Sequence, residues 1–332
     1  NIGIFDMSSF GKIRVEGEGA LNFLQEICTA QINIQIGRIV YTQMLNEKGG
    51  IESDLTISRL GEKSFLLVVP CATLQRDLSY LNRKNNSKEV MIIDISSSEG
   101  VLSIMGPNSR KLLECVSPNN FSNSAHPFGT WKNIEIGSGL ARAHRVSYVG
   151  ELGWEIYISS DQCAHVFEEI WKFQKEMKFN LCGIHALDSC RIEKAYRHFG
   201  HDITDEDHIV DAGLSFTADL SKKRFEGKES ILNKRKVGSS KKMLQFKLND
   251  PSKMIYHNEP VLRDNKIVGY LTSGNFGHTL GGCIGLGYVD SKNLSNEEIL
   301  SFDYSIDVAG EIVTAEASLK PMYDPQSERV RM

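Results

Sequence analysis

The sequence has no apolar run that approaches the ~20 residues a membrane-spanning helix requires. Its N-terminus also lacks the basic segment followed by an apolar stretch that marks a secretory signal. The seven cysteines are odd in number and include no C-x-x-C pair, a usage typical of reduced, intracellular thiols. These absences predict a soluble intracellular protein.

A large net charge is also lacking, since the 332 residues carry a formal charge of only -4. Apolar residues make up 41% of the chain and charged residues 24%, values ordinary for a globular enzyme. Neither a disordered chain nor a nucleic-acid or membrane partner is therefore expected. The length predicts two or three packed units. Because the chain begins with Asn1 and enters an apolar run at Ile2, we expect that an upstream segment has been removed or left out.

No complete nucleotide-binding or metal-binding motif is present. The glycine run at Gly17 has Asn22 where a dinucleotide fingerprint needs its third glycine. The run at 281–287 leads into a strand pattern rather than a helix, so it lacks the helix N-terminus that holds a pyrophosphate. The His-rich and Asp-rich segment 198–208 matches no zinc or calcium spacing and favours a polar loop. No flavin, nicotinamide or metal site is predicted in this chain.

Short strand patterns alternate with helical patterns over the first two thirds of the chain. The predicted helices include 20–29, 74–83 and 187–196, and the predicted strands include 39–45, 65–69, 101–105 and 141–148. The segment 222–242 is rich in Lys and Arg and marks a candidate domain boundary. Beyond it, short strands between turn residues favour a small barrel or sandwich. The pattern therefore predicts an α+β protein with a β-rich C-terminal domain.

Two segments carry carboxylates in strand-like surroundings. Strict alternation places Asp54, close after the Gly49-Gly50 turn, on the face opposite to Leu55 and Ile57. In the second segment, Tyr148 and Glu155 lie at the two ends of a glycine-containing run. From the residues alone, a solvated strand face is the favoured interpretation of the first segment, and the second could be an ordinary hairpin.

Taken together, several motifs resemble the aminomethyltransferase (T-protein) superfamily in order and spacing, over nearly the whole chain. The motifs are Phe5–Lys12, Gly49–Leu55, Met105–Asn108, Tyr148–Glu155, Arg191–His198, Asp211–Leu214, Phe225–Lys228, Thr272–Gly274 and Gly285–Val289. The Arg191–His198 run and the two that follow it are most similar to the folate-binding halves of dimethylglycine and sarcosine dehydrogenases.

The resemblance implies an α+β cloverleaf of three subdomains, with mixed and antiparallel sheets around a central folate channel. Residues 1–240 would form the folate-binding part as two interleaved subdomains, and residues 241–332 a C-terminal β-barrel. Asp54 matches the essential aspartate of the family, and Glu155 matches the carboxylate that holds the pterin. The remaining implied contacts with tetrahydrofolate are apolar or aromatic, and they are Tyr148, Tyr41, Phe10 and Val68.

These residue types suit the chemistry that the resemblance implies. One carboxylate can accept the two neighbouring N–H groups of a pterin edge, and aromatic and aliphatic walls suit flat rings. Asp54 would orient N10 of tetrahydrofolate, accept its proton and stabilise a cationic iminium. The expected product is 5,10-methylenetetrahydrofolate, from a methylene or formaldehyde unit released by demethylation of dimethylglycine or sarcosine. No metal is required.

The resemblance also implies partners for this chain, and it shows where the chain differs from T-proteins. An amine-oxidising flavin domain upstream on the same polypeptide would hold FAD, and the location would be cytoplasmic, or the mitochondrial matrix in a eukaryote. Where T-proteins have a folate-contacting Asn this chain has Pro70, and where they have an Arg it has Leu187, beside Asp188. These departures argue against a glycine-cleavage T-protein.

Two other functions stay open at this point. A free-standing tetrahydrofolate-dependent demethylase would transfer an intact methyl group and give 5-methyltetrahydrofolate. A folate-binding accessory protein without transfer activity would carry a K-G-C-Y-x-G-Q-E signature, which the chain lacks.

Overall fold

The computed structural model describes residues 1–292 and 294–332. In chain order, the strands are β1 Gly3–Asp6, β2 Gly11–Glu16, β3 Ile39–Leu45, β4 Ile51–Gly61, β5 Ser64–Val69, β6 Met91–Asp94, β7 Glu99–Met105, β8 Trp131–Ile136, β9 Gly139–His144, β10 Gly153–Ser159, β11 Asn180–Cys182, β12 Lys241–Leu248, β13 Pro260–Arg263, β14 Lys266–Gly277, β15 Gly282–Asp290, β16 Tyr304–Val308 and β17 Glu311–Ser318. The helices are α1 Ala20–Ile27, α2 Leu74–Lys84, α3 Ser109–Val116, α4 Cys163–Trp171, α5 Gln174–Met177, α6 Ile184–Glu193, α7 Lys228–Val237 and α8 Asn296–Ser301.

The strands form two open sheets and one closed barrel. The six-stranded sheet has the order β11-β1-β7-β10-β9-β8, and the five-stranded sheet has the order β3-β4-β5-β2-β6. The barrel closes in the order β12-β15-β14-β13-β16-β17. The chain starts in the six-stranded sheet, crosses to the five-stranded sheet for β2 to β6, and then returns. The predicted α+β class and the C-terminal barrel are confirmed.

The two open sheets stack face to face, with helices on their outer sides. Outward side chains of the six-stranded sheet, such as Trp154, pack with α3 and α4, and those of the five-stranded sheet, such as Ile57, pack with α1 and α2. Between the sheets, Val68 of β5 packs against Val101 of β7 and Tyr157 of β10. Because side chains alternate along each strand, the same strands supply an outer apolar core and an inner layer. The inner layer also carries polar residues.

Several predicted boundaries differ from the structure. Strand β9 ends at His144 instead of reaching Tyr148, because the chain turns away and Tyr148 bonds to the segment after α6. Helix α6 ends at Glu193 instead of Tyr196, since Ala195 takes a left-handed conformation with φ of 54°. The basic segment 222–242 contains helix α7 and leads directly into β12.

The hairpin between β3 and β4 lies unusually close to the loop after α6. At Gly50, an added Cβ would lie 1.9 Å from the carbonyl oxygen of Asp205, so only glycine fits. The amide of the next residue, Ile51, donates to the carbonyl of Asp207 at 3.1 Å. This contact holds the loop that carries Arg197 and Thr217 against the end of the five-stranded sheet. No helix in the described part of the chain is long and apolar enough to cross a membrane.

Candidate active site

Asp54 lies on the inner face of β4, as its strand position predicts. Its neighbour Leu55 belongs to the outer core, so Asp54 points to the opposite side, toward the six-stranded sheet. Gln43 is its partner across the strand pair, and the Gln43 Nε2 donates to Oδ1 of Asp54 at 2.8 Å. Gln43 thus holds the carboxylate at Oδ1.

Burial raises the pKa of Asp54 to about 6, although hydrogen bonding by Gln43 and Tyr41 and the charge of Arg197 act to lower it. The same burial raises the pKa of Tyr41 well above its usual value. Yet 36% of Tyr41 stays exposed. Tyr41 therefore keeps an accessible surface, and it lies close enough to Asp54 to affect the titration of that carboxylate.

Tyr148 reaches the same region from the loop after β9. Its hydroxyl donates to the carbonyl oxygen of Arg197 at 2.7 Å, and its ring stacks on Tyr196 with centroids 5.8 Å apart and 15° between the planes. Burial raises the pKa of Tyr148, and the nearby Asp54 charge acts in the same direction. Tyr148, Tyr41, Asp54 and Arg197 therefore lie close to one another.

Glu155 and the apolar residues predicted from the sequence form the second part of the inner layer. Tyr41, Thr56 and Val68 are cross-strand partners in a row, so they share one face. Val68 packs with Phe10 and Tyr157, and Tyr157 donates to Oε2 of Glu155 at 2.8 Å. The row from Tyr41 to Val68 connects the Asp54 region to the Glu155 region.

Glu155 is 8% exposed, and burial raises its pKa to about 7 against the opposing effect of the Tyr157 hydroxyl. Its cross-strand partners are Ser103 and His144. The Ser103 Oγ and the His144 Nε2 are buried without a hydrogen-bond partner among the described residues. A buried polar atom without a hydrogen-bond partner costs folding free energy, so the row formed by Ser103, Glu155 and His144 fits a polar ligand.

Three residues of the site were not predicted from the sequence. Gln43 bonds to Asp54, Thr217 bonds to Gln43, and Arg197 places a positive charge beside Asp54. Gln43 could have been found by pairing strands outward from the Gly49-Gly50 turn, which places it opposite Asp54. Thr217 and Arg197 come from distant segments that no local pattern connects to Asp54.

Pro70 and Leu187 are the two positions at which the chain differs from the T-protein pattern. Leu187 lies in apolar surroundings and Pro70 in a turn. Leu187 is 3% exposed and packs with Phe5, Met105 and Val149. Pro70 ends the strand pairing of β5, and its carbonyl accepts from the amide of Thr73 at 3.1 Å. Neither side chain can supply the hydrogen bonds of an Arg or an Asn.

Two surface cavities lie on the outer side of the loop after α6. One, of about 430 Å³, is lined by residues that include Lys48, His208 and Asp211, and the other, of about 310 Å³, includes His201 and Tyr270. Their linings include none of the predicted site residues. Among residues 1–292 and 294–332, no three His, Cys, Asp or Glu side chains gather as metal ligands.

Comparison with family models and known proteins agrees with this architecture. Residues 1–222 match the GCVT N-terminal domain, and residues 241–324 match the glycine cleavage T-protein C-terminal barrel domain. The glycine cleavage system aminomethyltransferase T from Bartonella henselae superposes with a TM-score of 0.85, at 24% identity over 98% of this chain and 87% of that one. The chain belongs to the aminomethyltransferase (glycine cleavage T-protein) family, and the predicted resemblance and cloverleaf fold are confirmed.

The relatives of this chain differ in how much of their own length it covers. The chain is 38% identical to 4-methylaminobutanoate oxidase (formaldehyde-forming) from Paenarthrobacter nicotinovorans, over 99% of this chain and 39% of the relative. It is 33% identical to mitochondrial sarcosine dehydrogenase from Homo sapiens, over 99% of this chain and 38% of the relative. It thus spans about two fifths of these relatives' length. An aminomethyltransferase from Halothermothrix orenii is 34% identical, over 94% of this chain and 87% of the relative.

Proposed function

We propose that this chain is a tetrahydrofolate-dependent transferase that captures a one-carbon unit and forms 5,10-methylenetetrahydrofolate. One observation carries the proposal: Asp54, with a pKa raised to about 6, lies beside Tyr41, Tyr148 and Arg197. A buried carboxylate with a shifted pKa in an accessible space is the usual arrangement of a general base.

The inner layer offers the groups that tetrahydrofolate requires. Glu155 would accept the paired N–H groups of the pterin edge, since its Oε1 receives no hydrogen bond from the described residues. The unpaired Ser103 Oγ and His144 Nε2 lie beside it on the same sheet. Phe10, Val68, Tyr41 and Tyr148 would form the walls. These residues therefore fit the group.

Tetrahydrofolate would supply two neighbouring nitrogens, N5 and N10, that together bind one carbon at the formaldehyde level of oxidation. Asp54 is ionised above pH 6, so near neutral pH it can accept a proton on Oδ2. Its negative charge also stabilises a positive charge that develops beside it. Arg197 disfavours protonation of Asp54 before the reaction, because a nearby positive charge favours the carboxylate form.

The proposed donor is an N-methylated amino acid of the sarcosine or dimethylglycine type. The printed names of two relatives, a formaldehyde-forming 4-methylaminobutanoate oxidase and a sarcosine dehydrogenase, support it. Oxidation of the donor would take place in an upstream flavin domain with FAD. Residues 1–240 would then form the folate domain, and residues 241–332 the barrel domain.

A second candidate donor is an aminomethyl group carried by a partner protein, as in a free-standing aminomethyltransferase. The observation in its favour is the 87% coverage of the Halothermothrix orenii aminomethyltransferase. The apolar residues Pro70 and Leu187 weigh against it. Both candidates give the same folate product, so the donor alone distinguishes them.

The first test is calorimetric titration of the chain with tetrahydrofolate, followed by assay of methylenetetrahydrofolate formed from formaldehyde. We expect saturable binding that Glu155→Ala weakens at least tenfold, and Asp54→Ala that still binds but forms the product at least tenfold more slowly. Asp161→Ala, an exposed carboxylate just beyond β10, is the control and should match the wild type. Wild-type protein that neither binds nor transfers would contradict the proposal. In a parallel assay with an intact methyl donor in place of formaldehyde, formation of 5-methyltetrahydrofolate would replace it with the demethylase.

A further inference from the structure

Gln43 is completely buried, although it carries an amide that needs partners at both ends. Its Nε2 donates to Oδ1 of Asp54 at 2.8 Å. Its Oε1 accepts from the hydroxyl of Thr217, which lies 174 residues away in the sequence. Three side chains from separate segments thus form one hydrogen-bonded chain that ends at Asp54.

The charge of Asp54 determines which group donates and which accepts in the hydrogen-bonded series from Thr217 through Gln43 to Asp54. An ionised carboxylate only accepts hydrogen bonds, so the NH₂ group of Gln43 must face it. The carbonyl oxygen of Gln43 then faces the Thr217 hydroxyl, whose single hydrogen lies within reach of two acceptors, Oε1 of Gln43 and the carbonyl oxygen of Leu214 at 2.8 Å. With its own amide hydrogen, Thr217 donates to the carbonyl of Leu214 at 3.1 Å, which fixes the turn that carries it.

Backbone contacts hold Gln43 as firmly as its side-chain partners do. Its amide donates to Oγ1 of Thr29 at 3.2 Å, and its carbonyl accepts from the amide of Thr29 at 2.9 Å. The side chain therefore starts from a fixed strand position. Within residues 1–292 and 294–332, Gln43 is the donor at ordinary hydrogen-bond distance from the Asp54 carboxylate, and Tyr41 lies near enough to interact with that carboxylate as well.

We propose that Gln43, held in turn by Thr217, is a positioning residue that occupies Oδ1 of Asp54 and turns Oδ2 toward the reacting one-carbon unit. This inference rests on the proposed function. A catalytic carboxylate must stay within about 0.5 Å and 10–20° of its productive geometry, and supporting hydrogen bonds provide that restraint. Gln43 itself does not contact the ligand in this arrangement, so it should affect the transfer step and not folate affinity.

The test compares Gln43→Met and Thr217→Val with Thr42→Val. Met has nearly the length of Gln but no hydrogen-bond donor. Thr217→Val keeps the side-chain shape and removes the hydroxyl that bonds to Gln43 and to the carbonyl of Leu214. Thr42 is the next residue on β3, fully buried, and accepts from the amide of Ala30 at 3.0 Å on the other face. Its hydroxyl also lies 3.1 Å from that of Thr29, so its replacement removes buried hydrogen bonds from the same strand while leaving the Gln43 side chain and Asp54 unchanged.

Two readouts are taken on each variant of the full chain. The first is tetrahydrofolate affinity together with kcat for methylenetetrahydrofolate formation. We expect a kcat about tenfold to a hundredfold lower in Gln43→Met, with affinity changed less than threefold. Thr217→Val should lower kcat less, and the double variant should be no worse than Gln43→Met alone. Thr42→Val should leave kcat within twofold.

The second readout is the carboxyl titration of Asp54 by NMR in the ligand-free chain, assigned with Asp54→Asn. Loss of the Gln43 donor should move the Asp54 midpoint upward in Gln43→Met. In Thr217→Val, Gln43 can still donate to Asp54 but has lost its own anchor, so the rise should be smaller, and Thr42→Val should leave the midpoint unchanged. The other charged or titratable groups that act on Asp54 or lie near it are Tyr41, Tyr148 and Arg197, and all are unchanged in these variants.

The outcomes separate this inference from the proposed function. If the wild type forms no methylenetetrahydrofolate, the proposed function fails, and the NMR titration still decides whether Gln43 controls Asp54. An Asp54 midpoint that is the same in Gln43→Met and the wild type would overturn the inference. So would a loss of kcat as large in Thr42→Val as in Gln43→Met, because the effect would then reflect damage to β3.

Discussion

Tyr157 donates its hydroxyl hydrogen to Oε2 of Glu155 at 2.8 Å, two residues away on the same face of β10. This bond favours the ionised form of Glu155, while burial raises the pKa of Glu155 to about 7. The two effects together place the titration of the proposed pterin-binding carboxylate near physiological pH.

Tetrahydrofolate affinity should therefore increase as the pH rises through about 7, because only the ionised Glu155 can accept both pterin N–H groups. Calorimetry from pH 5.5 to 8.5 measures the midpoint. Tyr157→Phe should move it to higher pH, since the bond that favours ionisation is lost. Glu155→Gln should bind at least tenfold more weakly at pH 8 and lose the pH dependence. A wild-type affinity that is flat across this range would contradict the assignment of Glu155.

The ionised Asp54 should reduce the stability of the folded chain. Its pKa is raised from 3.8 to about 6 on folding, so the folded state binds the proton more tightly than the unfolded state does. The cost is absent at pH values below 3.8, grows as the pH rises, and is complete above about 6.

Asp54→Asn should therefore increase the free energy of unfolding at pH 8 by about 1–3 kcal/mol, with little gain near pH 4. Asn can still accept from Gln43, so the shape of the site is kept. Urea unfolding at both pH values measures the difference. Asp161→Asn serves as control, since the Ser159 hydroxyl lowers the pKa of that exposed carboxyl. An Asp54→Asn protein less stable than the wild type at pH 8 would show that Asp54 stabilises the fold.

The positions of Asp54 and Glu155 could be predicted because they depend on local pattern. Alternation along a strand determines the face of a residue, and Leu55 and Ile57 identify the core side of β4. The motif around Glu155 lies within a single strand and its preceding turn. The sequence does not show whether these two strands face each other, because that depends on how the two sheets stack.

Residues that act through long-range contacts could not be predicted in this way. The Thr217 hydroxyl bonds to Gln43 across 174 residues, and Arg197 reaches Asp54 from the loop after α6. The same limit explains the error at β9, where Tyr148 leaves the strand to bond with the carbonyl of Arg197. Its β-favouring residue type gave no sign of that partner.

Tyr148 should contribute to the site more through its ring than through its hydroxyl. The ring stacks on Tyr196 and lies beside Asp54, whereas the hydroxyl donates to a backbone carbonyl. Tyr148→Phe keeps the ring and loses one hydrogen bond, so we expect tetrahydrofolate affinity within about threefold of the wild type. Tyr148→Ala should weaken affinity by tenfold or more, since a stacking wall is lost. Equal losses in the two variants, measured by calorimetry, would assign the effect to the hydroxyl and to the position of Arg197.

Asp202 connects helix α6, the loop after it and the barrel. It is completely buried and accepts from Arg191 at 2.5 Å, from the hydroxyls of Thr272 and Ser273 at 2.6 Å each, and from the amide of His198 at 2.9 Å. Burial alone would raise the pKa of Asp202, but the Arg191 charge and these donors more than offset it, and the pKa lies below the usual value. Asp202 should therefore stabilise the fold above its unfolded pKa of 3.8, and this stability is lost as the pH falls through the lower, folded value.

Asp202→Asn should reduce the free energy of unfolding at pH 7 by about 3–5 kcal/mol, because the buried Arg191 loses its main counter-charge. Ser273→Ala removes one donor from the same carboxylate and should cost only about 1 kcal/mol. Urea unfolding at pH 7 and pH 3 tests both, and the gap between Asp202→Asn and the wild type should narrow at pH 3. The loop after Asp202 leads to Thr217, so tetrahydrofolate transfer should fall as well. If Asp202→Asn cost no more than Ser273→Ala at pH 7, the charge pair would not be what joins the barrel to α6.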